Sequence, residues 1–340
     1  MNIRFSRRNS HIPRHIPRHI FSHIILLVAL FFSPSLVWAD PSDSAPYARV
    51  VVFGDSLSDT GNLASLIGNF PSPPYYMNRV SNGPVAVEVL ANKLYLDALP
   101  SLHLIGPAQG SNYAVAGARA GGSEFIDLGF QVTMFLANNS GAAPANFLYI
   151  VFIGGNDVRD ARGEADQVTA MAIIDQAVAM EIAAIQNLVA AGASDILVVN
   201  VPDIGAIPES GLLAIALGQP ALKEYASLLT RAYNKKLKKQ LKVLKHQLNE
   251  VDIEQFDLFK FFGKLIKHAN KYGFDNATDA CFSSATLIVN PACNFENFVF
   301  FDEIHPTAHA HAIVGSRMSR LVLKNGEGHE EEHYLEIEIE

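Results

Sequence analysis

The chain has 340 residues, 49% of them hydrophobic and 18% charged, which is enough apolar material for one large or two small cores and excludes wholesale disorder. Its formal net charge of -8 argues against a nucleic-acid partner. His-Glu-x-x-His occurs once, as His329-Glu330-Glu331-Glu332-His333 in the acidic C-terminal stretch, and outside that stretch no Cys, His and acid cluster has zinc-site spacing.

In chain order, residues 1–39 read as a signal peptide. Arg4, Arg7, Arg8, Arg14 and Arg18 precede the apolar run Ile24 to Phe32, and Val37-Trp38-Ala39 forms a small-residue cleavage site. The competing reading is a retained anchor, but the run is shorter than the roughly 20 residues a spanning helix needs. Cleavage removes five arginines and no acids, taking the formal charge from -8 to -13. The expected location is therefore outside the cytoplasm, periplasmic or secreted. The duplicated His-Ile-Pro-Arg at residues 11–18 reads as basic leader rather than a metal tract, since its prolines break any helix that would align the histidines.

A β-branched run, Arg49 to Phe53, then enters Gly-Asp-Ser as a buried parallel strand enters a loop. Further strands are predicted at Asn112 to Ala116, Phe147 to Ile153, Asp195 to Val201 and Ile253 to Leu258, about five parallel strands in all. Helical spacing occupies Pro84 to Leu94, Ser123 to Ala137, Gln167 to Ala191, Pro220 to Asn249 and Pro306 to Leu323. No segment after the leader is taken as membrane-spanning. Alternating strands and helices predict an α/β domain, residues 46–323, with a parallel sheet covered on both faces and ligands bound at the strands' carboxyl ends. Residues 324–340 hold a Gly-containing acidic tail expected to stay solvated, with seven acids between Glu327 and Glu340.

Candidate chemistry falls at those carboxyl ends. Ser56 follows the first strand directly, although serine is also an ordinary turn residue. Asp302 stands three residues before His305, and Pro306 opens a helix behind them. One turn of chain can bring that carboxylate to the imidazole, leaving the other ring nitrogen free to take a proton from an alcohol nucleophile. The competing readings are an exposed Asp with a helix-capping His, and a metal site, suggested by His309 and His311, that uses His305 and His309 at helical spacing. Asn156 in Gly154-Gly155-Asn156-Asp157, and the backbone N–H of Gly117, are candidate donors to an oxyanion; both segments also suit plain turns. Cys281 and Cys293 pair as one disulfide if the protein is exported, or stay as two buried thiols.

Four blocks together resemble the GDSL, or SGNH, hydrolase superfamily: Phe53-Gly54-Asp55-Ser56-Leu57-Ser58-Asp59-Thr60-Gly61-Asn62, Asn112-Tyr113-Ala114-Val115-Ala116-Gly117-Ala118, Gly154-Gly155-Asn156-Asp157, and Asp302-Glu303-Ile304-His305-Pro306-Thr307. The resemblance implies a flavodoxin-like three-layer α/β/α sandwich. It also implies Ser56 as nucleophile, His305 as base, Asp302 as its orienting acid, and an oxyanion hole from the N–H of Ser56, Gly117 and Asn156. Ala116 stands where many members have a second glycine, which makes Gly121 and Gly122 competitors for the role of Gly117. Pro73-Pro74-Tyr75-Tyr76, Arg79, Ser81-Asn82-Gly83-Pro84 and Glu88, with the stretch from Cys281 to His305, resemble the subgroup of bacterial phospholipases, haemolysin-like lecithinases and glycerophospholipid-cholesterol acyltransferases.

The implied activity is hydrolysis of an acyl ester or lipid, of lysophospholipase or phospholipase A type, with no metal or organic cofactor. Acyl transfer on the same fold and a non-catalytic lipid- or carbohydrate-binding protein are the alternatives. In residues 231–248, Leu237, Leu241, Leu244 and Leu248 share one helical face, while Lys235, Lys236, Lys238, Lys239, Lys242 and Lys245 surround it. That pattern suits a sheet-covering helix, and also contact with an anionic membrane surface.

Overall fold

The structure is a computed structural model that describes residues 46–68, 73–248 and 251–326. The predicted leader, residues 1–39, and the tail from residue 327 lie outside the described residues. Four parallel strands form the sheet in the order β1 (Arg49–Gly54), β2 (Phe147–Phe152), β3 (Asp195–Val199) and β4 (Asp252–Phe256). Val52 lies opposite Ile150, Ile150 opposite Leu197, and Leu197 opposite Glu254. After their first residues β1, β2 and β3 are wholly buried, as expected of apolar runs covered on both faces. The edge strand β4 admits Glu254 and Gln255.

The predicted fifth strand is a correction. Asn112 to Ala116 runs beside β1, with Tyr113 N–H to Val52 O at 2.7 Å and Val115 N–H to Gly54 O at 3.1 Å, yet forms only isolated bridges, Asn112 with Val52 and with Pro100. The cause is side-chain competition for its backbone. The Asn62 amide donates to the carbonyls of Asn112 and Ala114 at 2.7 and 2.8 Å, and Asn112 Oδ1 accepts the Ala114 N–H at 2.9 Å. With this segment on the outer side of β1, the chain reverses its lateral direction between β1 and β2. That is the flavodoxin-like order, and it opens a crevice at the carboxyl ends of those two strands.

Nine helices lie among the described residues: α1 (Asn62–Ile67), α2 (Ala86–Lys93), α3 (Leu128–Asn138), α4 (Gly155–Gly163), α5 (Gln167–Ala190), α6 (Pro208–Ala216), α7 (Leu222–Gln247), α8 (Leu258–Lys267) and α9 (Ala308–Gly326). The five predicted helices correspond to α2, α3, α5, α7 and α9; α9 continues past Leu323 into the segment assigned to the tail. Right-handed crossovers on either side of the reversal put α2 and α9 together, and α3, α5 and α7 in a second packed row. By length and hydropathy α5 would qualify as a membrane span, contrary to the prediction that no later segment does. Its apolarity serves packing against α3, α4 and α7.

Between α8 and α9 the chain makes two small ribbons: β5 (Asn276–Ala280) pairs with β8 (Phe298–Phe300), and β6 (Phe282–Ser283) with β7 (Ile288–Val289). A Cys281–Cys293 disulfide closes the excursion between them.

Candidate active site

At the end of β1, Gly54 lets two strands close tightly: a Cβ there would stand 2.4 Å from the Phe152 carbonyl oxygen. Both backbone groups of Gly54 are taken by the Gln131 side chain, at 2.9 and 2.8 Å, which ends the ladder. The chain then turns sharply, with the Asp55 carbonyl accepting the N–H groups of Ser58 and Asp59, each at 3.0 Å. The buried Asp59 carboxylate accepts the N–H groups of Gly61, Asn62 and Leu63, and that of Ala116 at 2.8 Å. Ser56 is thereby held at the crest of a rigid loop, half-buried, and its N–H has no hydrogen-bond partner among the described residues.

Asp302 and His305 arrive from the turn after β8. A Phe301 N–H to His305 O bond of 2.8 Å folds the turn, and Asp302 Oδ1 accepts the N–H groups of Ile304 and His305 at 2.8 and 2.7 Å. His305 Nδ1 lies 2.9 Å from each Asp302 oxygen, and Nε2 lies 2.8 Å from Ser56 Oγ. Hydroxyl, imidazole and carboxylate therefore stand in one line of hydrogen bonds. Burial would raise the Asp302 carboxyl, but the adjacent imidazole and the two N–H donors outweigh it and hold it below the ordinary value. Tyr75 adds a donor that the sequence did not single out for this role, its hydroxyl 3.3 Å from Asp302 Oδ2. Edge-on contacts with Phe301 and Phe282 fix its ring.

The other histidines separate. His309 Nδ1 bonds the Glu296 carbonyl at 2.8 Å, whereas buried His311 accepts the Ala86 N–H at 3.2 Å through Nδ1. Burial, with His305 nearby, lowers His311 to about 3, so its ring is neutral.

Asn156 occupies the first turn of α4, a helix where the sequence suggested only a glycine-rich turn. Its amide donates to the Ala118 carbonyl at 2.9 Å, and its own carbonyl oxygen accepts from Arg159 Nη1 at 2.9 Å. Gly117 adopts φ +90, and its N–H has no partner among the described residues. The Gly121 N–H is engaged by Asp157 Oδ1 at 2.8 Å and Gly122 packs on the Asp127 carboxylate, which favours Gly117 as the open donor.

Ser56, Asn156 and His305 face a predominantly apolar cavity whose walls include Phe152, Ile204, Ile207, Leu258, Phe262 and Val314. Two polar residues in its wall, Asp55 and Arg159, had no assigned role in the sequence. Burial raises Asp55 to about 6, opposed by the Leu57 N–H and by His305. Arg159 is paired with Glu209 through two bonds of 2.9 and 2.6 Å, and Arg162 joins the same carboxylate at 2.8 Å.

Comparison with known proteins places the chain in a family. A family model described as GDSL-like Lipase/Acylhydrolase matches residues 50–318. The chain is 31% identical over 251 residues to a phosphatidylcholine-sterol acyltransferase of Aeromonas hydrophila, covering 72% of this chain and 68% of that protein. To the thermolabile hemolysin of Vibrio parahaemolyticus it is 29% identical over 304 residues, covering 83% and 66%. A GDSL esterase/lipase of Arabidopsis thaliana shares 24% identity over 341 residues, 85% of this chain and 94% of the relative. The chain thus spans about two thirds of the first two proteins.

Proposed function

The chain belongs to the GDSL-like lipase/acylhydrolase family, and on that premise we propose that it is an exported serine hydrolase of acyl esters, acting on lysophospholipids or phospholipids. The observation that carries this is the 2.8 Å contact of His305 Nε2 with Ser56 Oγ, backed by Asp302 on Nδ1. In the proposed mechanism Ser56 Oγ attacks the ester carbonyl while His305 takes the hydroxyl proton, and Asp302 stabilises the imidazolium. The oxyanion is received by the N–H groups of Ser56 and Gly117 and by the Asn156 amide. His305 returns the proton to the departing alcohol, leaving an acyl group on Ser56. Water then enters by the same general-base step and releases the acid. Each step uses protein groups only, and the apolar cavity suits an acyl chain.

Acyl transfer, in which an alcohol replaces water, is the second reading, favoured by the relative named as a phosphatidylcholine-sterol acyltransferase. A non-catalytic binding role leaves the aligned hydroxyl, imidazole and carboxylate without a purpose. Export is supported by the basic and apolar leader pattern and by the disulfide. Peripheral contact with a lipid surface also belongs to the proposal. It is best supported at α6, where Leu212, Ile215 and Leu217 are exposed and no charged residue stands between Glu209 and Lys223. The lysines of α7 are less suited: their half of the helix runs to the amino edge of the sheet, away from Ser56, while Leu237, Leu241 and Leu244 are core.

A panel of a short-chain nitrophenyl ester, a lysophosphatidylcholine and a diacyl phosphatidylcholine, each with and without cholesterol, tests the proposal. Fatty acid release that disappears in Ser56→Ala supports it, and cholesteryl ester formation selects acyl transfer. Unchanged turnover by folded Ser56→Ala, or no turnover of any ester, overturns it.

A further inference from the structure

Asn156 sits at the centre of a charged relay that reaches across two helices. Its carboxamide is addressed from both sides: Arg159 Nη1 donates to Oδ1 at 2.9 Å, and Nδ2 donates to the Ala118 carbonyl at 2.9 Å. A flipped amide would set its NH2 against a guanidinium and its oxygen against a carbonyl, so only one orientation is satisfied. In that orientation one Nδ2 hydrogen is spent on Ala118 and the other is available on the cavity side.

Arg159 is itself fixed. Its Nε and Nη2 grip both oxygens of Glu209 at 2.9 and 2.6 Å, and Arg162, which also bonds Ser210 Oγ at 2.6 Å, holds Glu209 Oε2 at 2.8 Å. Glu209 in turn reaches the acid–base turn through its backbone, donating to the Glu303 carbonyl at 2.8 Å. Glu209 and the turn carrying Asp302 and His305 are therefore tied to the helix that carries Asn156.

We propose that Arg159, clamped by Glu209, is a positioning residue that sets the orientation of the Asn156 carboxamide and polarises its N–H toward the oxyanion. This inference rests on the ester-hydrolase reading above. A guanidinium donating to Oδ1 draws electron density from the amide and makes Nδ2–H a stronger donor, as chained hydrogen bonds strengthen one another. Its value appears only when negative charge develops, so it acts on kcat rather than on substrate affinity. The sequence hides the arrangement, because Arg159 and Glu209 are 50 residues apart and belong to no motif.

The test is a double-mutant cycle on a soluble short-chain ester, with Arg159→Met and Arg159→Lys made in the wild type and in Asn156→Ala. Arg159→Met is expected to lower kcat by about tenfold to a hundredfold with KM little changed, a fraction of the roughly 10² to 10³ from losing an oxyanion donor outright. In the Asn156→Ala background the same change should cost less than about threefold, because the group it acts through is gone. Arg159→Lys keeps the charge without the planar fork and should fall between, with its thermal midpoint confirming a folded protein. Equal losses in both backgrounds would overturn the proposal, as would a change confined to KM. Full kcat in Arg159→Met beside a large loss in Asn156→Ala would overturn this inference while leaving the hydrolase reading intact; full kcat in Asn156→Ala would overturn both it and the oxyanion assignment.

Discussion

Removing the Asp302 carboxylate should cost both stability and rate, and the two costs come from the same set of donors. The carboxylate accepts from the N–H groups of Ile304 and His305, from His305 Nδ1 and from the Tyr75 hydroxyl. Asp302→Ala leaves three of these as buried donors on a fixed turn, whereas the Tyr75 hydroxyl can rotate away. Each orphaned donor costs about 1–3 kcal/mol. With partial relief from water entering the space, a net loss of about 3–5 kcal/mol is expected, the range for breaking a buried charged pair.

The pH dependence has a definite sign. The folded Asp302 pKa is depressed below the ordinary value, so its contribution is present above that ordinary value and is lost as pH falls through the folded one. The difference in urea midpoint between wild type and Asp302→Ala should be level from about pH 5 to 8 and shrink below about pH 4. Turnover should drop by about 10³ to 10⁴, since the imidazole loses both its tautomer control and its counter-charge. A folded Asp302→Ala protein within tenfold of wild-type activity, or a stability loss below about 1 kcal/mol, would refute this assignment of the carboxylate.

Buried Glu181, raised to about 8 by desolvation although the Tyr233 hydroxyl bonds it at 2.6 Å, should make stability fall as pH rises from about 4.5 to 8. Glu181→Gln keeps a neutral acceptor for Tyr233 and should flatten that slope in urea titrations, leaving the lower-pH part due to Asp55. Replacing Cys281 and Cys293 by serine opens a closure 12 residues long, and calorimetry should show a loss of about 3 kcal/mol in the chain-entropy estimate. Because that excursion holds Phe282 against Tyr75, a reduced kcat should accompany it. Leu212→Ser with Ile215→Ser should impair turnover of vesicle lipid more than of a soluble ester, whereas Lys238, Lys239 and Lys242 changed to Gln should affect the two substrates equally.

The parts legible in the sequence share one property: their partners are close along the chain or belong to one periodic pattern. β1, β2 and β3 are short β-branched runs ending in turn residues, and Asp302 with His305 needs only three residues of chain to meet. Ser56 stands out by its place directly after β1. Asn112 to Ala116 misled because its short apolar run, Tyr113 to Ala116, is that of a buried strand, while the asparagine at residue 62 that occupies its carbonyls lies 50 residues away. Of the four short helices outside the prediction, α1, α4, α6 and α8, the last three are hidden for local reasons. Gly155-Asn156-Asp157 carries turn composition, Gly211 interrupts α6, and the apolar start of α8 at Leu258 reads as the end of β4. The Tyr75–Asp302 and Arg159–Glu209 contacts span 50 residues or more, which no local pattern encodes.

The most direct measurement for the central assignment is intact and peptide mass analysis after treatment with a fluorophosphonate, which captures a nucleophile only where a base activates it and donors receive the developing oxyanion. One phosphonyl adduct, mapped to Ser56, absent from Ser56→Ala and strongly slowed in His305→Ala, is the result that the aligned Ser56, His305 and Asp302 require. An adduct on another residue, or undiminished labelling of folded His305→Ala, would contradict it.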